Sequence, residues 1–138
     1  MPNHCEQVVS ILGPRHVVTN LYEWVSVHGT EAKRFCDVVS PMPLSEAGNW
    51  FDWRMINWGT KWDVQDVKVK HDLQIETNGE QASFTFQCWT AWTPPVPVWD
   101  RLVQEFECVV AADYRDEYGS FEGEYNCSDK CWFPKENA

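Results

Sequence analysis

One stretch of the chain leaves little choice of structure. From Val67 to Ile75 the odd positions are Val67, Val69, His71, Leu73 and Ile75, and the even ones are Lys68, Lys70, Asp72 and Gln74. Period-two alternation of this kind marks a strand with one buried and one wet face, the habit of antiparallel sheets. Asn78-Gly79 follows, the dipeptide a tight type I′ turn wants, because both central residues of that turn need positive φ. The return run alternates as well, with Phe84, Phe86, Cys88, Thr90 and Trp92 on one face and Ser83, Thr85 and Gln87 on the other. The pair predicts a β-hairpin, and an antiparallel sheet for it to join.

The rest of the chain supplies that sheet with partners. Residues 4 to 12 read as a strand through Val8, Val9, Ile11 and Leu12, and Gly13-Pro14 breaks it. Val17, Val18, Leu21, Val25 and His28 then share one face of a helix over 15–28, with Gly29 as its stop. Phe35 to Val39 reads as a brief strand ended by Pro41 and Pro43, and a loop runs through Gly48 into the aromatic stretch Trp50 to Trp62. After Thr93-Pro94-Pro95, a stripe of Val98, Leu102 and Phe106 predicts a helix over 95–106. A last hairpin comprises Cys108 to Tyr114, a turn at 116–119 and a return over 121–125. The length of 138 residues suits one domain, placed at 1–127 with a polar tail at 128–138. The expected fold is α+β: a ferredoxin-like antiparallel sheet with two helices packed on one face and the other face open.

Charge and composition narrow the function. With 21 acidic residues against 11 basic, the net charge of −10 opposes a phosphate backbone, so nucleic acid is an unlikely partner and a protein with a basic surface a natural one. No stretch reads as a secretory leader or a membrane span, which gives the expectation of a cytoplasmic protein without a membrane partner. Six cysteines are read as free thiols in a reducing compartment. The lone Cys127-x₃-Cys131 pair lacks the second ligand pair of a structural zinc site, so neither metal nor cofactor is expected. Phosphate-cradling, nucleophile-elbow and metalloprotease motifs are all absent, which lowers the expectation of an enzyme.

Several segments occur in a recognisable order: Met1-Pro2-Asn3-x-Cys5, Pro41-Met42-Pro43, Asn57-Trp58-Gly59-Thr60-Lys61-Trp62-Asp63, Thr90-Ala91-Trp92-Thr93-Pro94-Pro95 and Phe121-x-Gly123. Together they resemble a family of small bacteriophage and plasmid proteins that carry a ferredoxin-like domain and no assigned activity. The resemblance implies a mobile-element accessory protein and brings no catalytic residues with it.

The block from Asn57 to Asp63 is the candidate site. Gly59 permits a tight turn there, and Thr60 can bond local backbone. Trp58 and Trp62 then form either a stacking platform with Lys61 and Asp63 as polar contacts, or an inward plug beside Trp92, the usual fate of tryptophan in a small domain. Nine tryptophans exceed what a domain this size readily buries, so some should line a surface. Asp116 and Glu117, in the acidic last hairpin, form the expected docking face for a basic partner, with Asp113, Glu122 and Glu124 nearby. His71, on the apolar face of its strand, reads as a core histidine rather than a catalyst. A sheet face rich in Phe and Trp would also suit a homodimer. The leading expectation is a non-enzymatic accessory protein that binds and inhibits or redirects a host protein. Single-stranded nucleic acid or a nucleotide stacking on the Trp platform is the alternative, and a small enzyme is the third reading.

Overall fold

Strand β1 (His4–Pro14) buries Cys5, Gln7, Val9 and Ile11 and leaves Val8 and Ser10 in solvent, an alternation that suits the middle of a half-covered sheet. The computed structural model describes residues 4–28, 35–119 and 121–126. After β1 come α1 (Arg15–His28), α2 (Phe35–Val39), a 3₁₀ helix (Leu44–Asn49) and α3 (Trp50–Asn57). Then follow β2 (Gln65–Ile75), β3 (Gln81–Ala91), α4 (Val96–Glu105), β4 (Val109–Asp116) and β5 (Glu122–Asn126). All five strands join one antiparallel sheet in the order β2-β3-β1-β4-β5. The fold is therefore α+β, with four α-helices among the described residues where two were expected.

Register builds the core. Val9 opposes Phe86 on one side and Ala112 on the other, and Ile11 opposes Phe84 and Val110, so one apolar layer crosses three strands. Val18, Leu21 and Val25 of α1 and Val98, Trp99 and Leu102 of α4 are buried in the same cluster. Phe35 of α2 fills the centre, with its ring 5.2 Å from Phe86 and 6.0 Å from Trp99.

Four expectations are corrected. Phe35–Val39 is a helix, not a strand, because the Asp63 carboxylate accepts the N–H groups of Cys36 (2.7 Å) and Asp37 (3.0 Å) and so caps its first turn. The supposed loop before Trp50 and the aromatic stretch after it are the 3₁₀ helix and α3. His71 is exposed opposite Thr85, because register shifts after Val69 and again after His71 break the alternation along β2. The β2–β3 connection is no two-residue type I′ turn. Gly79 alone in that turn has positive φ (74°), and its N–H bonds the Glu76 carbonyl at 2.8 Å.

The two faces of the sheet differ in chemistry. Phe84 and Phe86 lie under the helices, while the uncovered face carries Glu6, Val8, Lys70, Gln87, Asp113 and Arg115 around a trough of about 620 Å³. That face is polar, and it is not the Phe- and Trp-rich surface on which a homodimer was expected. Among the described residues no helix is long and apolar enough to cross a membrane. Cys127, Cys131 and the tail from 128 to 138 lie outside the described residues.

Four thiols belong to the core. Cys5, Cys36, Cys88 and Cys108 are free and buried. Burial, and for Cys5 the nearby Asp116 charge as well, pushes the Cys5 thiol up to about 11. Burial and the Glu107 charge do the same for Cys108, also to about 11. Cys36 and Cys88 are raised too, again by burial first. An acid whose folded pKa is raised keeps its proton while the unfolded chain ionises. Its stability is therefore full below the ordinary thiol value near 9.0 and falls as pH rises toward about 11. We expect thermal stability to drop across that window by roughly 1.4 kcal/mol per pH unit for each such thiol. A Cys5→Ala/Cys108→Ala variant should flatten the decline in a pH series of melting curves. An identical slope in wild type and variant would remove Cys5 and Cys108 as its cause.

Candidate functional site

The Asn57–Asp63 block crosses one end of the sheet, and Gly59 divides it. Gly59 has φ +78°, and a Cβ there would meet Pro97 Cδ at 2.7 Å, so neither the conformation nor the space admits a side chain. Before Gly59 the chain turns inward. Trp58 is buried, its Nε1–H donates to the Ser40 carbonyl at 2.9 Å, and its ring meets Trp53 nearly edge-on at 5.9 Å. The Arg54 guanidinium lies 4.9 Å from the Trp58 ring centroid and 5.1 Å from that of Trp50, and its Nη1 donates to the Lys61 carbonyl. Trp58 thus follows the inward reading. Asp63 serves the fold too, with three backbone N–H groups on its carboxylate: those of Cys36, Asp37 and its neighbour Val64. Burial raises the Asp63 pKa above the usual carboxylate range, and those three donors pull it back.

After Gly59, Lys61 and Trp62 reach the surface, both half-buried. Thr60 is buried and bonds not to local backbone but to Ala91 of β3, donating to its carbonyl and accepting its N–H, both at 3.2 Å. Thr93 Oγ1 donates to the Gly59 carbonyl at 2.6 Å, and Thr90 Oγ1 donates to the Thr93 carbonyl at 2.7 Å. Gln7 completes the clamp by donating to Thr90 Oγ1 at 2.6 Å. What these bonds hold is a strained turn. Trp92 has φ +65°, and the Thr93 N–H bonds the Ala91 carbonyl two residues back at 2.7 Å, a γ-turn of the rare positive-φ kind. Strain of about 1–3 kcal/mol persists only where the surroundings over-determine it. Here it prevents Trp92 from continuing the inward alternation of β3, and the residue stands 38% exposed.

Lys61 and Trp62 meet that indole. Lys61 Nζ lies 4.2 Å from the Trp92 ring centroid and 5.0 Å from that of Trp62, so one ammonium sits against two π systems. The Trp62 ring is 6.0 Å from His4, whose other neighbour is Trp89, edge-on at 6.1 Å. Glu117 closes the group, its Oε1 accepting from the His4 backbone N–H at 2.8 Å and lying 3.2 Å from His4 Nδ1. Lys61, Trp62, Trp92 and Glu117 are therefore brought to one end of the sheet. Trp58 and Asp63 are not part of that surface. Asp116 is buried as well (1% exposed) and accepts the Tyr118 N–H, so it cannot serve as the expected docking residue.

Reading the sequence did not place His4, Trp89, Thr90 or Thr93 at this site, and it gave Thr60 a local partner in place of Ala91. The signal that could have found the clamp is the coincidence of Thr60 with Thr90 and Thr93 in the two aromatic motifs. Among the described residues no group of three or more His, Cys, Asp or Glu side chains could hold a metal ion. Comparison with protein-family models, with curated proteins and with solved structures found no match.

Proposed function

We propose that this chain is a non-enzymatic accessory protein of a phage or plasmid, which binds a host protein through the Lys61–Trp62–Trp92 end of its sheet and so inhibits or redirects it. The observation that carries the reading is the γ-turn at Trp92, where the fold stores backbone strain and leaves a large apolar ring partly in water. Aromatic side chains are the common anchors of protein interfaces, and a net charge of −10 would speed encounter with a basic surface in the host cytoplasm. The strand order β2-β3-β1-β4, with a helix after β1 and another after β3, supports a ferredoxin-like core to which β5 and the α2–α3 segment are added. That agrees with the family the sequence motifs resemble.

The test separates binding from folding. Glycine accepts positive φ at no steric cost, so Trp92→Gly should keep the turn, with a relieved strain of about 1–2 kcal/mol offsetting part of the burial that the covered side of the ring loses. It should also abolish capture of the host partner when tagged proteins are purified from host cells. Undiminished capture by the Gly variant would remove this end of the sheet from the interface. The same exposed ring with Lys61 beside it favours a second reading, base stacking by a nucleotide, which the net charge opposes. A flat fluorescence titration with nucleotides would dispose of it.

A further inference from the structure

We infer that the slot between Trp62 and Trp92 receives an arginine side chain of a basic partner protein, and that Lys61 fills this slot in the free chain. The inference rests on the binding reading above and adds the chemical group that the site takes. Two ring faces within about cation–π range of one nitrogen form a receptor for positive charge, and the slot already holds a cation. Among the described residues Lys61 makes no side-chain hydrogen bond or ion pair, so the rings alone hold its ammonium. A flexible stem held only by ring faces can leave at little cost. A guanidinium is the better occupant, being planar, able to stack and less strongly hydrated than an ammonium.

The surroundings agree in sign. Glu117 is held at the rim by His4, and the net charge of the whole chain is −10. An incoming cation gains from this field, whereas an incoming phosphate is opposed by it. Access is given by Trp92, whose strained turn presents the ring to solvent.

The test uses the full chain and two blocked tripeptides, Gly-Arg-Gly and its citrulline twin, which has the same shape without the charge. Titration is followed by NMR on the indole N–H resonances of Trp62 and Trp92 at millimolar peptide. The arginine peptide should shift both resonances and the citrulline peptide neither. Lys61→Ala, which empties the slot, should bind the arginine peptide about five- to tenfold more tightly than wild type. Equal response to both peptides, or weaker binding by Lys61→Ala, overturns the inference. So does adenosine monophosphate shifting these resonances where the arginine peptide does not, an outcome that moves the site to base stacking. The two readings fail separately. A captured host protein with a silent arginine peptide leaves the binding function and removes the slot. An arginine-responsive slot with no captured protein does the reverse.

Discussion

Replacing Trp99 with alanine is expected to lower the folding free energy by about 3–5 kcal/mol, the range for deleting a large buried aromatic. Trp99 is fully buried on α4 and packs edge-on against Phe35 of α2 (6.0 Å) and Phe86 of β3 (6.4 Å). Three elements that share little sequence proximity meet on this one ring. Its removal leaves a cavity that cannot close without moving Phe35, which itself packs at a tilt against Phe86 at 5.2 Å. Against a typical stability of about 5–15 kcal/mol, such a loss is a large fraction of the whole. Urea denaturation followed by far-UV circular dichroism measures it without interference from the remaining tryptophans. A loss below about 1.5 kcal/mol would show that α4 and α2 collapse into the space, and that the aromatic trio does not fasten the helices to the sheet.

Such a core was partly legible in advance. The alternation of β3 and the stripe of α4 are local patterns, and burial follows them at Phe84, Phe86, Cys88 and Thr90 and at Val98 and Leu102. Local pattern failed where a distant residue decides. Five residues from Phe35 to Val39 are too few to signal a helix by period, and the cap that holds them is Asp63, 27 residues away in sequence from Cys36. His71 failed for a different reason. Register shifts along β2 turn the strand between residues, and nothing in an alternating sequence announces them.

The site was harder to read than the fold. One motif supplied Trp58, Lys61, Trp62 and Asp63, yet the structure buries Trp58, leaves Lys61 and Trp62 half-buried at the surface and uses Asp63 to cap α2. Arg54, four residues before Trp58 and stacked on its ring, was the available hint that Trp58 continues the packing of α3. Trp92 obeyed the alternation of β3 in sequence and broke it in space, because a positive φ at tryptophan is costly and no pattern predicts it. The exposed apolar side chains of the 3₁₀ helix and α3, Leu44 at 91% and Ile56 at 74%, were not legible either.

The second large effect is expected at Asp63, on chemistry the motif concealed. Its Oδ1 accepts the N–H groups of Cys36 (2.7 Å) and Val64 (2.8 Å), and its Oδ2 accepts that of Asp37 (3.0 Å). Bonds to a charged acceptor contribute about 1.5–3 kcal/mol each, and a buried donor left without a partner adds its desolvation cost. Asp63→Ala should therefore lose roughly 3–5 kcal/mol, short of the full sum because the three bonds share one carboxylate. The damage should begin in α2, since a five-residue helix cannot persist once its first turn is uncapped. Amide hydrogen exchange would then show Cys36 and Asp37 exchanging far faster than the strands. Asp63→Asn provides the control, because its Oδ1 can still serve Cys36 and Val64 while its NH₂ faces the Asp37 donor. An intermediate loss for Asn, with partial protection at Cys36, is the signature of the cap. If Ala and Asn both fall within about 1 kcal/mol of wild type and the Cys36 amide stays protected, α2 is held by its buried Phe35, Cys36 and Val39 without the cap, and Asp63 is free to act as the surface contact its motif suggested.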